Sequence, residues 1–168
     1  MRAITPELVI LAGPNGSGKS TLFEKHIKKW SLPFVNRDVI AKSLNPTNPD
    51  AAALRRAKAL GYRTRVVFIC LETSDLNVAR VVHRVARGGH AVAPGAIVAR
   101  YDRAIKSAVE AAALADDLLL FDNSVEGLEP RMFARFSNGE LASVRRILPV
   151  WAKRAFGSAF DSFRSVKR

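Results

Sequence analysis

The chain predicts an α/β sandwich of three layers, a mostly parallel sheet with helices on both faces. Short apolar runs at residues 8–12, 64–71 and 118–121 alternate with longer stretches in which apolar side chains recur at helical spacing. Such alternation implies a parallel sheet covered on both sides, because each crossover lays a helix back on the sheet. The second observation is a glycine-rich turn, Gly13-Pro14-Asn15-Gly16-Ser17-Gly18-Lys19-Ser20, set directly between the first apolar run and a helical stretch. The third is size: 168 residues suffice for one domain with a sizeable core. The expected organisation is one domain over residues 1–168, with a basic C-terminal extension from about residue 137.

Each element has its own signal. Leu8-Val9-Ile10-Leu11-Ala12 reads as a buried strand, and Phe23, Ile27 and Trp30 mark the inward face of the helix behind the turn. Residues 33–36 form a short strand candidate and residues 39–44 a brief helix, stopped by Asn45-Pro46-Thr47-Asn48-Pro49. Asp50 can cap a helix over residues 51–60, which Gly61 ends. After the strand at 64–71, a helix from Ser74 or Asp75 to Arg87 carries Leu76, Ala79, Val82 and Ala86 on its apolar face, and Gly88-Gly89 terminates it. Pro94 suits the start of the next helix, where Ile97, Tyr101, Ile105 and Ala108 trace a buried stripe reaching about Leu114. Beyond the strand at 118–121, a weaker strand at 131–136 precedes the turn at 137–140, and the tail holds one more helix around 148–156.

Composition narrows the class. Apolar residues at 48% and charged residues at 25% are ordinary for a globular protein. No apolar stretch approaches the ~20 residues that cross a bilayer, and the first residues lack the layout of a secretory signal. The one cysteine, Cys70, lies inside an apolar strand and reads as a buried hydrophobe, so a reducing cytoplasm is the expected location. The net charge of +12 concentrates at residues 80–106 and 131–168, the latter holding nine basic residues against Glu140 and Asp161. Such a balance attracts polyanions such as nucleotides, nucleotide-sugars or nucleic acid; for the tail, a solvated basic surface is an equal reading. The basic stretches carry no nucleic-acid motif and little aromatic interleaving, so neither nucleic acid nor a membrane is an expected partner.

The turn at residues 13–20 spells G-x-x-x-x-G-K-S, in the strand–turn–helix setting that the pattern requires. Glycines let the backbone curl so that successive N–H groups point at phosphate oxygens. Lys19 is expected to reach the outer phosphates of a nucleoside triphosphate, and Ser20 to offer its hydroxyl to Mg²⁺. Three acidic groups could organise the ion or a substrate hydroxyl. Asp38 follows the short strand, although a helix N-cap would explain it equally well. Glu72 and Asp122 each end an apolar strand, at the carboxyl edge where such sites lie, although Asp122 could equally be a turn residue. Arg80, Arg84 and Arg87 share one helical face, and Arg100 and Arg103 follow after the glycine hinge at 88–93. A solvated face would account for these arginines alone. Beside a phosphate loop and a hinge, they suit a lid that clamps phosphate and excludes water.

These residues resemble the zeta-toxin family of P-loop kinases. The matching pieces are Ala12 through Thr21, Val35-Asn36-Arg37-Asp38-Val39-Ile40-Ala41, the run from Leu76 to Gly88-Gly89-His90-Ala91-Val92, Arg100-Tyr101 and Asp122-Asn123-Ser124. The resemblance implies a kinase-like P-loop NTPase fold and transfer of the γ-phosphoryl group of ATP to a sugar hydroxyl of UDP-N-acetylglucosamine. It implies ATP and Mg²⁺ as cofactors, held by Gly13, Pro14, Asn15, Gly16, Ser17, Gly18, Lys19, Ser20 and Thr21, with Ser20 on the metal. By the same resemblance Asp38 looks like the general base, Arg87 and Arg100 like the pair that grips the phosphates, and an antitoxin protein like a partner. The alternative is an ATP-binding switch, or a basic P-loop protein associated with nucleic acid, without kinase activity.

The chain departs from the family at one place. Members carry an extra helix and a strand with a Glu-Thr-Thr-Leu-Ser-Gly-like run, part of the sugar pocket, ahead of the Arg-Arg-Ala-Lys helix. Here Asn48-Pro49-Asp50-Ala51-Ala52-Ala53-Leu54 passes straight into Arg55-Arg56-Ala57-Lys58. A segment dropped between about Ala53 and Arg55 is the expected cause, since losing a strand from a sheet interior would bare its neighbours' edges. That expectation requires the helix to be interrupted there.

Overall fold

A computed structural model describes residues 5–30 and 49–166. The strand expected at 33–36, the helix at 39–44 and Asp38 lie outside the described residues. Five strands form one sheet in the order β1-β2-β3-β4-β5. They are β1 (Glu7–Ala12), β2 (Arg63–Cys70), β3 (Asp117–Asp122), β4 (Arg131–Ser137) and β5 (Glu140–Val144). β1, β2 and β3 pair in parallel, with Ala12 opposite Phe68 and Phe68 opposite Leu120. β4 reverses, and β5 reverses again through a hairpin turn at Asn138-Gly139, so β5 runs in the direction of the first three strands. The sheet is thus mostly parallel in direction, and the expected α/β architecture holds. β5 is absent from the sequence expectation, because Glu-Leu-Ala-Ser-Val is short, largely exposed and no more apolar than a loop.

The helices are α1 (Lys19–Leu22), α2 (Pro49–Ala59), α3 (Ser74–Ala86), α4 (Pro94–Leu114) and α5 (Val150–Val166). α1 continues without a break into a π-helical turn at Phe23–Ile27 and a 3₁₀ turn at Lys28–Trp30. α2 is one continuous helix whose Ala51, Leu54 and Ala57 are buried at a spacing of three, one face of a helix. The helix is not interrupted between Ala53 and Arg55, where the expected dropped segment would interrupt it.

Successive strand residues point to opposite faces, and each face has its own core. On one side Val66, Phe68, Cys70, Leu118 and Leu120 meet Leu54 of α2, Tyr101 and Ala108 of α4, and Trp151, Phe156 and Phe160 of α5. The Trp151 ring stands edge-on to Phe68 and Phe133, both at 5.6 Å. On the other side Val67 and Ile69 meet Leu22 and Ile27. α5 extends well past the expected residue 156, because Phe160 falls on the same buried face.

The sheet end remote from the glycine turn is fastened by charge. Asp117 is fully buried at the start of β3 and receives Arg63 at 2.8 Å and Arg135 at 2.7 Å, with Arg65 at 3.5 Å. Burial pushes its carboxyl up, but hydrogen bonds and charge from Arg135 and Arg63 outweigh burial and hold the group below the usual carboxylate range. Next to it, Asp116 accepts from the Thr64 backbone and hydroxyl at 2.7 and 2.9 Å.

One expectation about α3 is reversed. Leu76, Ala79, Val82 and Ala86 are exposed, and the buried residues are Asn77 and Val81. The helix turns its small polar residue inward because that face meets the glycine turn, and no apolar side chain there could bond the turn's carbonyls.

Candidate nucleotide-binding site

The glycine turn leaves the carboxyl end of β1 and is held on three sides. Gly13, Gly16 and Gly18 have φ of 142°, 79° and 97°, values that side-chain-bearing residues seldom adopt. Space excludes a side chain as well. A Cβ on Gly13 would run into the Ile69 carbonyl of β2, and one on Gly18 into the Asn123 amide. A Cβ on Gly16 would lie 2.7 Å from the Asn77 carbonyl of α3. The loop is therefore pressed onto the ends of β2 and β3 and the flank of α3.

Two side-chain amides fasten it there. Asn77 donates through Nδ2 to the Asn15 carbonyl at 2.6 Å, and Asn123 donates through Nδ2 to the Ser17 carbonyl at 2.9 Å. Asn123 is itself fixed, its backbone N–H donating to the Cys70 carbonyl at 3.0 Å and its carbonyl accepting from Arg80 at 2.7 Å. Lys19 curls back over the loop, its Nζ donating to the Gly13 carbonyl at 2.7 Å and the Pro14 carbonyl at 2.8 Å. Ser17 is fully buried and its Oγ has no partner among the described residues. Ser20 and Thr21 stand in the first turn of α1, with Ser20 exposed.

The neighbouring acidic and basic groups fall into two sets. Glu72 caps a helix: its Oε1 accepts from the Val150 N–H at the start of α5, at 2.6 Å. Asp122 lies at the tip of β3 and accepts the Ser124 hydroxyl, whose oxygen in turn accepts the Glu72 N–H at 2.8 Å. Tyr101 of α4 donates to the Leu71 and Glu72 carbonyls at 2.8 and 2.9 Å and so ties α4 to the carboxyl edge of β2. Arg84 bonds the His90 carbonyl at 2.9 Å and folds the glycine hinge against the end of α3. Arg87 closes α3 and Arg100 lies on α4; both are exposed, and among the described residues neither bonds the loop. Asp38 lies outside the described residues. Asn77 and Asn123 thus bond the loop directly, and Arg80 braces Asn123. Sequence reasoning misses Asn77; the signal for it is a lone asparagine one helical turn before a buried valine.

The site fits a phosphate-bearing ligand. Among the described residues the amides of Gly16 and Gly18 donate to no backbone carbonyl, which leaves them for an acceptor from outside. No group of three or more His, Cys, Asp or Glu able to hold a metal ion occurs among the described residues. A hydroxyl such as that of Ser20 beside phosphate oxygens is the donor set that suits Mg²⁺, a hard cation that takes oxygen ligands and borrows them from phosphate.

Sheet order, loop and helices together define a P-loop NTPase fold of the α/β class. Residues 8–139 match the family described as AAA domain, and the chain belongs to it. Solved structures agree on the fold. The chain is similar to the AvrRxo1-ORF1:AvrRxo1-ORF2 crystal structure with sulphate ions, at 16% identity and a TM-score of 0.55. It is also similar to the structure of that complex with ATP (16%, 0.53) and to its native form (16%, 0.52). The match covers 84%, 84% and 83% of this chain respectively, and the chain spans 61% of the length of each neighbour. No curated protein sequence matches the chain. Among the described residues no helix is long and apolar enough to cross a membrane.

Proposed function

We propose that this protein is an ATP-dependent kinase that transfers the γ-phosphoryl group of ATP to a hydroxyl of a nucleotide-sugar such as UDP-N-acetylglucosamine, acting in the cytoplasm. The observation that carries the reading is the loop at residues 13–20, with its three compressed glycines and its Gly16 and Gly18 amides left without backbone acceptors among the described residues. Membership in the AAA domain family, a fold neighbour whose structure was solved with ATP, and the resemblance to zeta toxins support it. The neighbour's two-component complex supports a protein partner of antitoxin type.

In this reading Gly13, Pro14, Asn15, Gly16, Ser17, Gly18, Lys19, Ser20 and Thr21 hold the phosphates, and Ser20 holds Mg²⁺. When bound, the ion neutralises charge on the phosphate oxygens. Lys19 exchanges its two carbonyl partners for phosphate oxygens, a trade of neutral acceptors for charged ones that favours the bound state. Asp38 accepts the proton of the attacking hydroxyl. Arg87 and Arg100, exposed on either side of the hinge, move over the phosphates and stabilise the charge of the passing phosphoryl group.

The direct test follows label from γ-labelled ATP in the presence of UDP-N-acetylglucosamine, with Lys19→Ala as control. Label in the nucleotide-sugar with the parent chain and none with the control is the expected result; label released only as free phosphate contradicts it. For Asp38→Asn, turnover should fall more than ~100-fold while ATP affinity is retained. One observation favours a second reading. α2 runs unbroken where the zeta-toxin resemblance implies a sugar-pocket strand. Tight nucleotide binding with no transfer to any nucleotide-sugar would establish an ATP-binding switch instead.

A further inference from the structure

We infer that Asn77 and Asn123 are positioning residues that preset two anion-binding amides of the loop before any ligand arrives. The inference rests on the nucleotide-binding reading above and adds the device by which the loop is held ready.

A peptide unit is planar and trans, so its C=O and N–H point in opposite directions. The carbonyl of Asn15 and the amide of Gly16 belong to one such unit, and the carbonyl of Ser17 and the amide of Gly18 to another. Asn77 binds the first carbonyl and Asn123 the second, each from the packed side of the loop. Fixing those two oxygens toward the protein turns the Gly16 and Gly18 N–H groups away from it. Those two amides have no backbone acceptor among the described residues. Successive amides aimed into one concavity form the nest that binds anions. Because the orientation is set in advance, phosphate binding does not carry the entropic cost of ordering the loop.

Burial ties Asn77 to this one contact. It is fully buried, and its Oδ1 has no partner among the described residues, so the residue keeps an unsatisfied acceptor in order to place one donor. An apolar residue would fill the same space without that penalty, as Val81 does one turn later. Asn123 is held by its own backbone and by Arg80, so its amide is delivered from a rigid support at the tip of β3. The two clamps come from different elements, which makes them separable by mutation.

The test uses Asn77→Asp and Asn123→Asp in the full chain, with Mg·ATP affinity read by titration and nucleotide-free thermal unfolding read alongside. Aspartate keeps the shape, loses the donor and sets a carboxylate against a carbonyl oxygen. Each variant should bind Mg·ATP about tenfold or more weakly, the scale of one loop N–H bond to a charged phosphate oxygen that the misdirected amide no longer makes. A protonated carboxyl can donate as the amide does, so affinity relative to the parent should recover as pH falls from about 8 to about 5. Asn123→Leu, which loses the donor without bringing a charge to the site, should show the same weakening at every pH, a result that repulsion by the aspartate alone would not give. If Asn77→Asp does not fold, Asn123→Asp, at a partly exposed position, carries the test alone. Parent-like affinity in a folded variant, or a loss in the aspartate variants that pH does not restore, overturns the inference. A parent chain that fails to bind Mg·ATP at all sinks the nucleotide-binding reading instead, and the two failures are distinguishable.

Discussion

Single residues decide this site by shape before they decide it by charge. Gly18 combines a φ of 97° with a Cβ position already filled by the Asn123 amide. Gly18→Ala should therefore abolish measurable Mg·ATP binding in titration, while Gly139→Ala, at an open hairpin turn, should leave it unchanged. Equal affinity in the two variants would show that the loop tolerates displacement. Cys70 illustrates the opposite case, a reactive group silenced by its surroundings. It is fully buried on β2, and burial first of all pushes its thiol up to about 12. The native protein should resist a thiol reagent at about pH 8 and react at once when unfolded. The loop residues, Lys19 and the burial of Cys70 are readable in the chain, because motif and apolar context are local. Asn77 is not, because its use depends on a contact 62 residues away in sequence.

At the scale of elements, legibility follows periodicity. In α4 the expected stripe of Ile97, Tyr101, Ile105 and Ala108 faces inward, since one broad apolar face meets one core. α3 has an equally regular apolar stripe, yet it packs the other way, because its neighbour is a polar backbone loop that needs a donor and a small residue. Spacing identifies a face and does not say what that face will meet. Glu72 caps α5 across a long stretch of chain, so Glu72→Ala should cost about 1 kcal/mol in urea unfolding without altering nucleotide affinity. Asp117 has a lowered folded-state pKa, so its contribution to stability is present above the unfolded value of about 4 and lost as pH falls through the folded one. Asp117→Asn should cost about 2 kcal/mol near neutral pH and flatten the loss of stability that acid causes below about pH 4. An unchanged acid profile would remove Asp117 from that account.

For the whole molecule, the two ends of the sheet divide the labour. The end with Asp116 and Asp117 uses its charges in internal pairing, and the opposite end leaves loop amides and arginines outward. The net charge of +12 favours a polyanionic ligand through long-range attraction. The same division explains why fold and loop can be read from the chain while the acceptor cannot. Apolar runs and glycines dictate backbone, but the acceptor pocket depends on side chains brought together from separate loops. In the proposed function the loop at residues 13–20 cradles the phosphates of ATP, and calorimetric titration of Mg·ATP into the parent chain and Lys19→Ala tests that role. Saturable one-to-one binding by the parent is expected, with a loss of about 100-fold or more in the variant, the worth of a buried charge-assisted contact. Equal affinity in the two proteins, or no binding by the parent, would contradict it.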